Sequence, residues 1–444
     1  MTTTDSPPSV PPLTAGTLWR LAWPSAIFTV LTTAYRIVDQ YYMQYVSVPA
    51  QAAVGSSVFV AIVFYASFEV LAAGAGPLIA RATGAADPRL RRSILGAALW
   101  GAGIVTLLVM IVGTWGASWI AASVGLTGDT AAAFAAYLSA LSLTILPLVL
   151  TPLVDQAFLA TGEARLPMVL HGASLALNIA LTPLFVLTFE GGVVGAALAS
   201  NLARAMTTGI GLVILIQRFG LQREHLRPAD QLRRVLRVGA PMAANTALYA
   251  LVYWALLRWT VSPLGPHINA ALGIGFSALE GMAWPVFHGL SLAVASLVGR
   301  YLGAGRRDLA WGVVKLALPA TTGMGLMASG AFFFGGRWLS GLFTEDPAVL
   351  AATTQYALIL SASQLFVAWE SLTEGVLAGA GDTKSVFWWS MPFNLLRIPL
   401  AWMWAFPWGA GAVGVWWAIN LTTYAKVLGK GTAVVRGRWL ELRP

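Results

Sequence analysis

Six acidic residues lie inside long apolar stretches of this 444-residue sequence, where a carboxylate is unfavourable. On insertion scales a charge at the centre of a bilayer costs at least ~2.5–3.5 kcal/mol, so each acid needs a partner or a water-filled cavity. Carboxylates in such places are typical of ion and proton pathways. The six residues are Asp39, Glu69, Asp155, Glu280, Glu370 and Glu374.

Signatures of enzyme chemistry are missing from the same sequence. It contains no phosphate-binding loop, no Ser-His-Asp set and no histidines at metal-ligand spacing. It contains no cysteine, so a disulfide framework and a thiolate metal site are both excluded. We therefore predict no enzyme, no cofactor and no metal site, and any pump built on the six acids would be driven by an ion gradient.

The elements that position these acids are predicted to be membrane helices. Hydrophobic residues make up 57% of the sequence and charged residues only 10%, whereas a soluble domain has about 25% charged residues. Apolar stretches of the length that crosses a bilayer recur along the chain. We predict an all-α integral membrane protein of about 12 transmembrane helices, with spans at 17–45, 52–80, 93–120, 132–160, 166–189, 193–217, 234–261, 268–299, 311–335, 351–379, 386–406 and 411–435.

The basic residues indicate how these spans are oriented. They concentrate in the breaks after even-numbered spans and in the tail, for example Arg81, Arg165, Arg227, Arg307, Lys384, Lys430 and Arg436. Breaks after odd-numbered spans contribute little beyond Arg337. Positive charge marks cytoplasmic loops, so we expect a multi-pass protein of the cytoplasmic membrane with both termini in the cytoplasm. The net charge of +9 is then an orientation signal, and we expect no nucleic acid partner.

The two halves of the sequence repeat each other at an offset of 219 residues. The matched segments contain Gly84 and Gly303, Gly162 and Gly381, and Asn201 and Asn420. Because 219 residues hold six spans, the two copies enter the membrane from the same side, which predicts a parallel repeat with substrate between the lobes. The predicted organisation is a disordered cytoplasmic tail without a cleaved signal peptide at 1–16, lobes at 17–217 and 234–435, a linker at 218–233 and a second tail at 436–444.

Several short motifs in the expected order resemble the multidrug and toxic compound extrusion (MATE) family. The first span contains an early proline, Pro24, and the pair Tyr35 and Asp39. The segments QAAVGSS around Gly55, GAGDTK at 379–384 and NLLRIPLAW around Arg397 also resemble that family's motifs.

The resemblance implies a secondary active transporter that exports amphipathic or cationic organic compounds by alternating access. The exported compound would be exchanged for protons or sodium ions, and its other partner would be membrane lipid. Two alternatives stay open: a flippase for lipid-linked substrates built on a related two-lobe fold, and a MATE-like protein that has lost transport. The sequence does not identify the oligomeric state, and a monomer is the default expectation.

The resemblance also implies that Asp39 is the coupling carboxylate and that its protonation bends span 1 near the hinge residue Pro24. Tyr35, Asn178, Thr182 and Ser200 would complete this site. Two departures from the family pattern leave a structural alternative open. Arg36 lies three residues before Asp39 and could neutralise it, and Thr182 stands where the proton-coupled branch has a second acid.

The other acids offer alternative coupling sites. Glu69 is repeat-equivalent to His288, and the two could form a proton site across the cleft or hydrogen-bond within their own lobes. Asp155 and Glu374 are also repeat-equivalent, and we expect both to pair with basic residues of the nearby cytoplasmic loops. Glu370, one helical turn from Glu374, and Glu280 are further candidates.

Tryptophans within the spans could contact the substrate. Trp254, Trp284 and Trp369 lie in the middle of predicted spans and could stack on an organic cation, each contact contributing ~0.5–2 kcal/mol. The alternative is that they face lipid or pack between helices, as most membrane tryptophans do.

Overall fold

The computed structural model describes residues 10–43, 45–123, 125–222, 225 and 229–442, and these residues are almost entirely helical. The helices are α1 Ala15–Met43, α2 Val48–Gly84, α3 Pro88–Trp115, α4 Ala117–Ser123, α5 Gly128–Leu143, α6 Leu146–Ala160, α7 Arg165–Pro183, α8 Gly192–Phe219, α9 Ala229–Leu256, α10 Pro266–Ile274, α11 Gly281–Gly303, α12 Arg307–Gly341, α13 Pro347–Ala380, α14 Thr383–Ala405 and α15 Gly411–Val435. Short π-helical segments follow α7, α9 and α10, at Leu184–Thr188, Leu257–Val261 and Gly275–Glu280.

Within the described residues, eight helices are long and apolar enough to cross a membrane. The pair α5 and α6, bent by 53°, makes a ninth passage if it is counted as one span. Three further helices, α1, α14 and α15, have 29, 23 and 25 residues. A helix of 23 residues is about 35 Å long, which is enough to cross the hydrocarbon layer. The prediction of an all-α, multi-pass membrane protein is confirmed, with nine apolar passages and three long helices richer in aromatic and polar residues.

The chain forms two compact units, as expected for a two-lobe fold. The N unit comprises residues 27–243, and the C unit comprises the chain up to Ala26 together with residues from Ala244 onward. The changes from one unit to the other fall inside α1 and α9, whereas the sequence predicted a break in the loop 218–233. Part of that loop, at 223–224 and 226–228, lies outside the described residues.

Both helices that pass from one unit to the other contain a proline close to the change. Pro24 stands two residues before Ala26 in α1, and Pro241 stands two residues before Ala243 in α9. Proline removes one backbone hydrogen bond from a helix, so each of these helices has a local weak point there. Both helices nevertheless continue through the proline.

The predicted 219-residue repeat is visible in the backbone of the two units. Four pairs of residues at this offset share the left-handed conformation, with φ values between 50° and 87°. These turns end or begin corresponding helices in the two units. The pairs are Ala86 and Gly305, Gly162 and Gly381, Glu190 and Gly409, and Gly192 and Gly411.

One of the matched motifs contains an asparagine, Asn201 or Asn420, whose side chain donates to a backbone carbonyl oxygen of a neighbouring helix in each unit. In the N unit, Asn201 Nδ2 donates to the carbonyl oxygen of Leu141 at 3.0 Å. In the C unit, Asn420 Nδ2 donates to the carbonyl oxygen of Ile359 at 2.7 Å. The bend between α5 and α6 leaves carbonyl groups near Leu141 to be satisfied by a side chain, and Asn201 supplies the donor. The repeat thus preserves a link between two helices of each unit.

Glycines allow α2 and α9 to pack closely inside the N unit. A Cβ atom placed on Gly239 would lie 1.7 Å from the carbonyl oxygen of Val70, and one on Gly74 would lie 2.1 Å from the carbonyl oxygen of Val235. Neither carbonyl can move without disturbing a helix. Close approach of backbones through small residues is the usual way in which membrane helices gain packing energy.

We expect Gly239→Ala to lower the stability of the protein markedly, because the new methyl group must push α2 and α9 apart. Overpacking of this kind typically costs ~1–3 kcal/mol. The thermal midpoint in detergent, followed by size-exclusion chromatography, measures the change. Gly103→Ala is the matched control, since a Cβ atom at Gly103 meets no atom within 4 Å. Equal midpoints for the two variants would contradict the close packing.

Candidate functional site

The carboxylate of Asp39 lies buried in the N unit, near the end of α1, with 5% of the residue exposed. Ser200 Oγ, from α8, lies 2.9 Å from both carboxylate oxygens. Because a hydroxyl has one proton, Ser200 donates to one of the two oxygens at a time. The structure therefore brings together Asp39 and Ser200, which the sequence placed in one site from distant positions.

Two side chains of α7 extend this contact. Asn178 Nδ2 lies 2.9 Å from Ser200 Oγ and 3.0 Å from Thr182 Oγ1. Asn178 and Thr182 are four residues apart, so they share one face of α7, and both are fully buried. The Oδ1 atom of Asn178 is buried and accepts no hydrogen bond from the described residues. The four side chains form a continuous polar chain from Thr182 to Asp39.

This chain of groups can bind a proton or a small monovalent cation. Its members offer a carboxylate, an amide oxygen and two hydroxyl oxygens, all hard oxygen ligands. Among the side chains that the structure describes, no cationic group lies within 4 Å of the Asp39 oxygens. The side chain of Arg36 lies outside the described part, so the predicted pairing of Arg36 with Asp39 stays a prediction.

Tyr35 and Arg204 lie beside the polar chain of side chains that runs from Thr182 to Asp39, called the Asp39 chain below. The hydroxyl of Tyr35 donates to Ser174 Oγ of α7, and the guanidinium carbon of Arg204 lies 4.1 Å from the centre of the Tyr35 ring. Such a cation over an aromatic face is stabilised by the ring quadrupole. Arg204 was not predicted as part of the site, although an arginine inside the predicted span 193–217, one helical turn after Ser200, is a recognisable signal.

Asp155 pairs with a histidine inside the bundle rather than with a loop. His171 Nε2 of α7 lies 2.8 Å from Asp155 Oδ2 of α6, and both residues are less than a tenth exposed. Phe28 stacks on the imidazole at 5.4 Å between ring centres. The expected pairing of Asp155 with basic loop residues is therefore wrong, because α7 supplies a partner within hydrogen-bonding distance. His171 was not among the predicted site residues.

In the C unit, the acids of α13 pair with two lysines of α15. Glu370 Oε1 accepts from Lys426 Nζ and Lys430 Nζ, both at 2.8 Å, and Lys430 also pairs with Glu374. Lys430 is fully buried. The expectation that Glu374 pairs with a basic loop residue is wrong, because its partner Lys430 lies inside α15 rather than in a loop or tail. The cytoplasmic location expected for Lys430 stays a prediction. Lys426 and Lys430 are four residues apart on one helix face, which is why both reach the same acid.

Two further charged side chains of the C unit, Arg397 and Glu280, are hydrogen-bonded by neutral groups. Arg397 is almost fully buried and donates to Thr422 Oγ1 at 2.9 Å and Thr423 Oγ1 at 3.3 Å. Glu280 Oε1 accepts from the hydroxyl of Tyr356 at 2.7 Å. The Glu280 carboxylate thus accepts a hydrogen bond from a tyrosine, and the Arg397 guanidinium donates to two threonines. Glu370 and Glu374 form ion pairs with the lysines.

The other predicted site residues are held by local contacts. His288 stacks on Trp284, with ring centres 4.5 Å apart and planes 13° apart. Trp369 donates from Nε1 to Thr322 Oγ1 at 3.0 Å, and half-exposed Trp254 meets Trp259 edge to face. Glu69 lies in α2, partly buried, close enough to Tyr65 for electrostatic interaction. The roles predicted for these residues in coupling and substrate binding stay predictions.

Comparison with known proteins agrees with the fold and the motifs. The family model described as MatE matches residues 24–184 and 241–403. A protein of Thermotoga maritima named "Probable multidrug resistance protein NorM" is 26% identical over 382 residues, which cover 82% of this chain and 80% of the relative. A protein of the same name from Bradyrhizobium diazoefficiens is 28% identical, with 88% and 86% covered. The "Multidrug export protein MepA" of Staphylococcus aureus is 23% identical, with 81% and 80% covered.

Solved structures share the fold over nearly the whole chain. A transporter of the MOP superfamily from Pyrococcus furiosus superposes with a TM-score of 0.89 at 19% identity, covering 96% of both chains. The Vibrio cholerae MATE transporter VcmN in its bent form superposes with a TM-score of 0.86 at 20% identity, covering 96% of this chain and 98% of the other. The two-lobe helical fold of these structures is therefore shared by nearly the whole chain.

We expect Lys430→Met to destabilise the C unit, because it removes a fully buried ammonium from Glu370 and from the partly buried Glu374. Breaking one side of a buried ion pair costs about 3–5 kcal/mol. The thermal midpoint in detergent should fall for Lys430→Met and recover in part when Glu374→Gln is added. Arg306→Gln, which breaks an exposed pair with Asp308, is the control and should leave the midpoint unchanged. A Lys430→Met midpoint equal to that of the parent would refute the structural role of the pair.

Proposed function

Because the chain belongs to the MatE family, we propose that it is a secondary active antiporter that exports amphipathic or cationic organic compounds. The names of two relatives support this substrate class. The relative from Thermotoga maritima is named a probable multidrug resistance protein, and the one from Staphylococcus aureus is named a multidrug export protein. Export proceeds by alternating access and is driven by protons, with sodium as the alternative coupling ion.

The observation that carries the proposal is the environment of Asp39. Its carboxylate is buried, yet among the described groups Ser200, a neutral hydroxyl, donates to it rather than a lysine or an arginine. A carboxylate held by neutral donors can lose its charge without leaving another charge uncompensated. The acids Glu370 and Glu374 differ, because neutralising either would strand a buried lysine. Glu280 also accepts from a neutral hydroxyl, that of Tyr356, but the family resemblance assigns the coupling role to Asp39. We therefore propose Asp39 as the acid that binds and releases the coupling ion.

Protonation of Asp39 would reverse the direction of a hydrogen bond. The ionised carboxylate accepts from Ser200, whereas the protonated carboxyl has a proton to donate. Ser200 Oγ can accept that proton, and the Ser200 hydroxyl is then free to turn elsewhere. The buried Oδ1 atom of Asn178, which accepts nothing from the described residues, is an available acceptor. One proton thus changes the hydrogen bonds that connect α1, α7 and α8.

Movement of α1 then links this change to substrate release. Asp39 lies 15 residues after Pro24, which interrupts the hydrogen bonds of the same helix. When the hydrogen bonds between Asp39 and Ser200 rearrange, the segment of α1 after Pro24 loses some of the polar contacts that hold it against α7 and α8. We propose Pro24 as the hinge about which this segment bends, in agreement with the expectation drawn from the sequence.

We expect Asp39→Asn to abolish gradient-driven export, since an amide cannot bind and release a proton at this position. The measurement is efflux of tetraphenylphosphonium from lipid vesicles under an imposed pH gradient, with a sodium gradient in a parallel experiment. Glu345→Gln, at an exposed acid between α12 and α13, is the control and should export like the parent.

Undiminished export by Asp39→Asn would rule out the coupling role of this residue. Export driven by sodium alone would change the coupling ion but not the site. If no member of a broad panel of organic cations moves in response to either gradient, the protein is a flippase for lipid-linked substrates or has lost transport, and the antiporter proposal fails.

We further propose that both termini face the cytoplasm of the cell, with the protein in the cytoplasmic membrane. The absence of cysteine allows a direct test by single-cysteine labelling. Glu345→Cys lies in a break after an odd-numbered span and should react with an impermeant maleimide in intact cells. Asp308→Cys, in a break after an even-numbered span, should react only after permeabilisation. The reverse pattern would invert the topology.

A further inference from the structure

A second buried pair that can hold a proton lies in the same unit as Asp39. His171 and Asp155 are 6% and 9% exposed, and Nε2 of the imidazole donates to the carboxylate at 2.8 Å. Phe28 covers one face of the imidazole ring. With Nε2–H committed to Asp155, the second ring nitrogen, Nδ1, is the position at which a further proton adds.

The pair borders a small cavity of mixed polar and apolar character. Asp155, His171, Ser174 and Arg204 form part of its wall, and the rest is formed by the threonines Thr151, Thr207 and Thr208 and the apolar side chains of Val154 and Leu170. The cavity has room for about one water molecule, which would give a buried imidazole a partner for proton exchange.

Tyr35 connects the cavity with the Asp39 chain. Ser174 lies three residues after His171 on α7 and accepts from the Tyr35 hydroxyl, while Tyr35 itself lies one turn before Asp39 on α1. On the other side, Arg204 lies over the Tyr35 ring and one turn after Ser200, which donates to Asp39. Charge changes at His171 and at Asp39 therefore act on the same two side chains.

We propose that His171 and Asp155 form a second proton-binding site of the N unit, loaded from this cavity and coupled to Asp39 through Tyr35 and Arg204. Its role in transport rests on the proposed antiport function. In the binding step, a proton from bulk solvent is relayed through a water molecule of the cavity to Nδ1 of His171, so that the water is left neutral and the resulting imidazolium keeps its hydrogen bond to the Asp155 carboxylate. Release reverses the step.

The charges around the imidazole determine the effect of each substitution. Asp155 of α6 stabilises the imidazolium directly, whereas the guanidinium of Arg204 on α8 opposes it. From α1, Asp39 adds a more distant negative charge and Tyr35 is neutral. On α2, Tyr65 lies within electrostatic range of both Asp155 and Glu69.

Protonation of His171 can be measured directly by ¹⁵N NMR of histidine-labelled protein in lipid bilayers. The chain has four histidines, and the signal lost in His171→Gln identifies the one of interest. The pH is varied between about 5 and 8, and the proposal requires the signal to move as Nδ1 takes up a proton. Asp155→Asn should lower the midpoint of this change and Arg204→Gln should raise it, because they remove an attractive and a repulsive charge respectively. Glu163→Gln, at a partly exposed acid of the same unit that pairs with Arg218, should leave it unchanged.

The proton site is overturned if the His171 signal stays constant across this range, or if neither Asp155→Asn nor Arg204→Gln moves its midpoint. Its part in transport is tested by the pH dependence of tetraphenylphosphonium efflux, which should become shallower in His171→Gln than in the parent. An unchanged pH profile would remove the pair from the transport cycle. If the parent exports nothing, the antiporter proposal fails while the NMR titration still decides whether the proton site exists.

Discussion

Charge inside an apolar helical bundle has to be neutralised, and the rest of this structure depends on how each unit does so. In the C unit, two lysines of α15 pair with two partly buried acids of α13, so that each of these two carboxylates has a fixed ammonium partner, whereas Glu280 accepts from the hydroxyl of Tyr356. The N unit surrounds Asp39 with hydroxyl and amide groups instead. A carboxylate in the first arrangement keeps its charge, whereas one in the second can exchange a proton or cation. The two units therefore use the same repeated fold for different electrostatic purposes.

The repeated fold supplies the rigid frame on which this difference rests. Corresponding turns take up the same left-handed backbone in both units, and Asn201 and Asn420 make the same contact to a neighbouring helix. Glycines such as Gly239 bring helices so close that little movement is possible where they pack. Against this frame, the segment of α1 after Pro24 carries Tyr35 and Asp39, and its position depends on polar contacts that a proton can alter.

The sequence was sufficient to predict the membrane fold, the repeat and the grouping of Asp39, Ser200, Asn178 and Thr182. The first two follow from apolar length and from matched turns, and the last from resemblance to family motifs. Partners that depend on three-dimensional packing were not predicted. Lys430 was assigned to the C-terminal tail from its place near the end of the chain, although it lies inside α15. His171 and Arg204 were not predicted, although basic residues in the middle of a span are as costly as acids.

Proton release on substrate binding tests most directly whether the N unit couples an organic cation to protons. Tetraphenylphosphonium is added to the purified protein in a weakly buffered detergent solution, and the change in pH is recorded. The parent should release protons as the cation binds, and Asp39→Asn should release markedly fewer. Binding of the cation without any release of protons from the parent would contradict proton coupling at this site.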